Sequence, residues 1–248
     1  VGNVIGSNIT NIFLVLGVAG IVGKTMKLTY ELIHVDLPLL MGSTFLVAFT
    51  IWDGVFSLGE ALIAIAVMVM YIIYTAQSEK EHEDKEIKKE MKKELKEKRS
   101  LEAKTILVLV VSAIFIFIGA KYTVDSVVML AELFNIGKEI VAVSVLALGT
   151  SLPELVVSVG AALKGKQEIA IGNVLGSTIF NSLAVLGIPA LFGALIIPQS
   201  ILTFALPLMI GATFLFIIMT LDKAITKWEG WILLLFYIFF IGKLFYLL

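Results

Sequence analysis

Hydrophobic residues in this chain fall into stretches of bilayer length, separated by short polar breaks. A hydrocarbon core takes about 20 apolar residues of helix. By that measure the pattern predicts eight spans, at approximately 3–22, 35–52, 56–75, 104–121, 137–163, 170–191, 201–221 and 229–247. Residues 122–136 are amphipathic and are expected to prolong the fourth span or cap the fifth. Residues 76–103 depart from the pattern. They hold Glu81–Lys85, Asp84–Lys88 and Glu94–Lys98 at helical i,i+4 spacing but no apolar stripe. Such a segment is a solvated helix or a disordered linker.

The pattern also occurs twice. GNVIGSNITNIFLVLG (Gly2 to Gly17) returns as GNVLGSTIFNSLAVLG (Gly172 to Gly187), with ten of sixteen positions identical. LPLLMGSTFL (Leu37 to Leu46) returns as LPLMIGATFL (Leu206 to Leu215), with seven of ten identical. Offsets of 170 and 169 residues define a duplicated unit. Duplication inside a hydrophobic chain points to a secondary transporter. It divides the chain into a first repeat at 1–78, a charged linker at 79–103 and a second repeat at 104–248. The first repeat is expected to be incomplete. The second copy carries roughly 70 residues before its motif, Glu102 to Ile171, that have no counterpart before Gly2.

Composition agrees with an all-α integral membrane protein: 59% of residues are apolar and mean hydropathy is +1.01. The net charge of −1 hides a segregation, because residues 79–99 hold nine of the 19 Lys/Arg and eight of the 20 Asp/Glu. With no cysteine there is no disulfide framework and no thiolate metal site. No basic surface for nucleic acid is evident. With the charged linker in the cytoplasm, short inner loops hold Lys24, Lys27, Lys164, Lys166, Lys223 and Lys227, against Lys121, Lys138 and Lys243 outside. Equivalent spans of the two copies then run in opposite directions, as inverted repeats.

Candidate chemistry lies inside the spans. Glu154 falls near the middle of the fifth, where a charge costs about 2.5–3.5 kcal/mol on insertion scales. Pro153 is expected to break the helix near Gly149 to Pro153, freeing backbone groups to line a cavity. Ser151-Leu-Pro-Glu154 also fits a capping box, so Glu154 could instead cap a half-helix. Gly2, Gly6, Gly172 and Gly176 form GxxxG pairs suited to close helix packing. Ser7 with Asn11, and Ser177 with Asn181, each share a helix face. Interhelical hydrogen bonding would explain one such pair; two pairs at one offset favour a shared central site. Oxygen ligands suit Na+, Ca2+ or Mg2+. His34 and His82 fall in loops; Asp53, Asp125, Asp222 and Glu229 fall at span ends, where surface charges are ordinary.

GTSLPE followed by GNVLGSTIFN, with the duplicated GNVIGSNITN, resembles the calcium/cation antiporter superfamily, in its prokaryotic sodium/calcium exchanger-like branch. The resemblance implies an inverted-repeat exchanger fold of ten spans, of which this chain matches the third to the tenth. It implies a metal site built from Glu154, Thr150 and Ser151, the Ala147 carbonyl, Ser7 and Asn11 from the first half, and Ser177 and Asn181 from the second. Asn181 stands where some sodium/calcium exchangers carry Asp, and the partner glutamate of the first half is absent. The implied function is exchange of Ca2+ for Na+ by alternating access in a prokaryotic plasma membrane, with no covalent chemistry and no cofactor. Coupling of Ca2+ to H+ is the alternative; a passive cation channel or a non-transporting membrane protein is more remote. As written, the chain is expected not to transport unless the missing half-site comes from elsewhere.

Overall fold

Eight helical rods form where the eight apolar stretches were predicted. The structure is a computed structural model that describes residues 1–23, 25–28, 32–81, 103–133 and 138–245. The rods are α1 (Gly2–Val22), α2 (Leu32–Thr50), α3 (Leu58–Glu81), α4 (Ala103–Leu133), α5 (Ala142–Leu163, led in by a turn at Lys138–Val141), α6 (Gln167–Ala190), α7 (Ile201–Met219) and α8 (Lys227–Leu244). All except α4 and α8 have the length and hydropathy of a membrane span throughout. Residues 122–133 prolong α4 and do not cap α5. Charged residues 79–81 continue α3, and the rest of the linker, with His82, lies outside the described residues. His34 belongs to the exposed first turn of α2 and not to a loop.

Four two-residue strands reveal how the rods are directed. They are β1 (Met26–Lys27), β2 (Val55–Phe56), β3 (Leu195–Ile196) and β4 (Ala224–Ile225). β1 follows α1 and pairs antiparallel with β4, which follows α7; β2 follows α2 and pairs antiparallel with β3, which follows α6. So α1 ends on the side where α7 ends, and α6 ends on the opposite side with α2. Equivalent helices α1 and α6 therefore run antiparallel. Moving Met26↔Ile225 by the repeat offset gives Leu195↔Phe56, a pair that the second ribbon contains. Thr44 and Thr213, equivalent by the same offset, meet with their hydroxyls 3.2 Å apart in the buried centre. The two-fold relation between the halves passes through this pair.

α1 is the most buried span, packed against α5, α6 and α8. In lipid the helices gain little from hydrophobicity, so close backbone approach must hold them. A Cβ on Gly6 would lie 2.1 Å from the Val143 carbonyl oxygen of α5, and one on Gly230 of α8 would lie 2.7 Å from the Gly17 oxygen of α1. Gly2 is also tight, at 3.2 Å from Val143 and Ile201 side chains. The repeat mates differ: Gly172 has its nearest neighbour at 3.8 Å and Gly176 has none within 4 Å. The packing expectation thus holds for the first GxxxG pair only.

The helices carry wide π turns at repeated places. Asn11–Val15 recurs as Asn181–Val185, and Leu32–Asp36 as Ile201–Ala205; a fifth is Ala142–Leu146 in α5. Such turns concentrate at functional sites. The break expected at Gly149–Pro153 is not formed, because α5 continues as α-helix from Ala147 to Leu163 with Pro153 inside it. Pro153 removes the helical donor of the Gly149 carbonyl alone, and the helix runs on past that one missing bond. Ser151 is consequently mid-helix and does not cap.

A capping box occurs at α8, and half of one at the equivalent start of α3. Glu229 Oε2 accepts from the Thr226 backbone N–H at 2.6 Å and its hydroxyl at 2.8 Å, and Thr226 in turn accepts from Glu229 N–H. Glu60 Oε2 binds Ser57 at the same two distances. Glu229 is therefore more than an ordinary surface charge. Thr226→Ala is expected to cost about 1 kcal/mol of stability, measurable as a lowered thermal midpoint in detergent.

Candidate cation site

Repetition places polar residues on one face of α1 and of α6. Asn3, Ser7 and Asn11 fall at i, i+4 and i+8, and so do Asn173, Ser177 and Asn181. Because α1 and α6 run in opposite directions, they meet α5 as a ladder. Thr150 donates to Asn3 Oδ1 at 3.2 Å, and its hydroxyl lies 2.9 Å from that of Ser7. One turn further along α5, Ser177 donates to Glu154 Oε1 at 3.0 Å. Next, Asn173 donates to the Glu154 carbonyl at 3.2 Å and to Ser158 at 3.0 Å. Asn11 closes the centre by donating to Ser177 at 3.3 Å, joining the two repeats.

Proton logic orients the centre. An ionised carboxylate can only accept, so Ser177 spends its one proton on Glu154. Ser177 must then accept from Asn11, which fixes the amide NH2 toward it and turns Asn11 Oδ1 elsewhere. Asn11 Oδ1 and Glu154 Oε2 are both buried with no hydrogen-bond donor among the described residues. Acceptor oxygens left bare at membrane depth are costly unless a cation meets them; Asn8 Oδ1 is bare in the same way, but Asn11 and Glu154 are the two that share a partner, Ser177. No cluster of three or more His, Cys, Asp or Glu exists among the described residues. The donor set is thus one carboxylate with neutral oxygens, which fits hard cations.

Of the eight residues expected from sequence, six enter two neighbouring hydrogen-bonded groups along α5: Ser7, Thr150 and the Ala147 carbonyl, which accepts from Ser7 at 3.4 Å, and one turn on Glu154, Ser177 and Asn11. Ser151 is buried and Asn181 half-buried, and neither side chain makes a hydrogen bond among the described residues. Thr150 is exposed, so the network is open along that side. Sequence reasoning missed Asn3, Asn173 and Ser158. The duplicated Gly-Asn that opens each motif was the available signal for the first two. It also missed Asn8, fully buried, which donates to Ser182 at 2.8 Å and ties α1 to α6 outside the repeat symmetry.

Known proteins share this architecture. A solved structure of the sodium-calcium exchanger NCX_Mj, soaked with Na+ and Ca2+, superposes with a TM-score of 0.76 at 25% identity, covering 97% of this chain and 74% of that one. Sodium/calcium exchanger MaX1 of Methanosarcina acetivorans is 42% identical over 146 residues, 58% of this chain. The match spans 42% of the length of MaX1. The putative antiporter CaxA of Alkalimonas amylolytica is 30% identical over 242 residues, 96% of this chain and 76% of its own. The family described as sodium/calcium exchanger protein matches residues 1–77 and 104–246, which leaves out little besides the charged linker. Fold, duplicated motifs and alignment agree, and the chain belongs to the sodium/calcium exchanger protein family.

Proposed function

We propose that the protein is a secondary active antiporter that exchanges Ca2+ for Na+ by alternating access. The midplane site comprises Glu154, Thr150, Ser151, the Ala147 carbonyl, Ser7, Asn11, Ser177 and Asn181. One observation carries this reading. Ser177 holds one oxygen of Glu154 and the NH2 of Asn11, leaving a carboxylate oxygen and an amide oxygen bare. The antiparallel course of α1 and α6 supports alternation, because related halves can present one site to either side in turn. The protein acts as a transporter and performs no covalent step. Placing the linker between the repeats 1–78 and 104–248 in the cytoplasm accords with the lysine distribution, and the membrane is taken to be a prokaryotic plasma membrane.

Charge balance extends the proposal. Ca2+ beside one carboxylate leaves a buried net +1, which is expensive; two carboxylates would neutralise one Ca2+ or two Na+ alike.

Proteoliposomes of the full-length protein test the coupling. Uptake of 45Ca2+ is expected to follow an imposed outward Na+ gradient and to ignore a pH gradient. Uptake that follows pH and ignores Na+ would assign H+ as the counter-ion. Uptake that needs no counter-ion gradient would describe a channel.

A further inference from the structure

The duplicated fold builds two grooves between α2 and α7, one at each end of their crossing, and divergence has made them unlike. The first, about 320 Å³, is lined by Ile33, Leu37, Met41, Ile217 and Leu221, with Lys223 at its rim. The second, about 310 Å³, lies at the related position and is lined by Trp52, Asp53, Gln199 and Thr203. The repeat offset carries Leu221 onto Trp52 and Lys223 onto Gly54. One groove is thus mainly apolar, with Lys223 beside Asp222 at its rim; the other, which also holds Leu202 and Leu206, is more polar and has Asp53, the mate of Asp222, but no lysine.

The backbone at this rim is informative. Gly54 has φ of +86°, which glycine adopts freely. Its mate Lys223 keeps the same left-handed turn at φ 56° and is alone among the described non-glycine residues in doing so. A lysine here works against backbone preference. Its carbonyl accepts from Leu28 N–H at 3.0 Å, which anchors the turn beside the β1–β4 ribbon. Among the described residues its ammonium makes no ion pair, although the exposed Asp222 precedes it.

We propose that the α2–α7 groove at Lys223 takes one acyl chain of an anionic glycerophospholipid, with the headgroup held by the lysine ammonium. The groove opens where two membrane-spanning helices end, so the apolar lining meets lipid tails while Lys223 stands at headgroup level. Basic residues at such places bind anionic headgroups. The related groove has glycine at the position of Lys223 and no lysine in its lining, so it offers the same headgroup no cation. This site is separate from Glu154 and does not depend on the ion that is transported.

Native mass spectrometry of the full-length protein, released from micelles containing equal phosphatidylglycerol and phosphatidylcholine of matched chains, tests it. Phosphatidylglycerol adducts are expected to exceed phosphatidylcholine adducts about fivefold, as one lysine near the headgroup layer provides. Lys223→Gln and Lys223→Gly should both abolish the excess, and Lys223→Gly should also raise the thermal midpoint by relieving the turn. Met41→Trp, which fills the groove, should lower adducts of both lipids. Lys164→Gln, at an exposed loop lysine, should leave the excess intact. If both Lys223 variants keep the full phosphatidylglycerol excess, or Lys164→Gln removes it, the assignment is overturned.

Discussion

Glu154→Gln is expected to weaken Ca2+ binding about a hundredfold, since affinity at oxygen sites follows ligand charge over several decades. The substitution keeps size and shape. Ser177 can donate to the new amide oxygen as it now donates to Glu154 Oε1. What is lost is the charge, and with it the insertion cost of about 2.5–3.5 kcal/mol for a carboxylate at membrane depth. The variant should therefore be as stable as the parent or more stable in Ca2+-free detergent, while Ca2+ no longer raises its melting temperature. Calorimetric titration and thermal melts separate these effects. A variant that melts lower and still binds Ca2+ would mean that Glu154 is a packing residue.

The second large effect is steric. Gly6→Ala is expected to cost about 3 kcal/mol, at the upper end of overpacking penalties. The added carbon would sit 2.1 Å from a backbone oxygen and 2.7 Å from the Ala147 Cβ. Neither can swing aside, because the first is main chain and the second has no rotamer. α5 would have to retreat, carrying Thr150 and Glu154 away from Ser7 and Ser177. At Gly176, which the duplication makes equivalent, alanine meets nothing within 4 Å among the described residues. Comparing melting temperatures of the two variants in this 248-residue chain tests the asymmetry. Equal losses would contradict the close crossing of α1 and α5.

Much of this architecture is written in periodicity and repetition. Apolar stretches located all eight rods, because a bilayer imposes its thickness on any helix that crosses it. The duplicated motif drew attention to Ser7, Asn11, Ser177 and Asn181; the structure joins Asn11 to Ser177 and leaves Asn181 without a side-chain hydrogen bond among the described residues. Pro153 misled the reading of α5. A proline removes one helical hydrogen bond, and sequence does not disclose whether the helix runs on past that loss, as α5 does. The repeated π turns were equally hidden, because a widened turn alters the ladder by one residue and leaves no compositional trace. Glu60 and Glu229 show the converse. Both fit the Ser/Thr-x-x-Glu pattern, but beside a water interface a carboxylate reads as solvated until its partner is seen.

The site assignment is tested most directly by a crystal structure of the full-length protein grown in Ca2+. An ion is expected about 2.3–2.6 Å from Glu154 Oε2, with Asn11 Oδ1 turned toward it and Ser177 still donating to Oε1. Ca2+ bound elsewhere, with Glu154 Oε2 and Asn11 Oδ1 as bare as they are now, would contradict it.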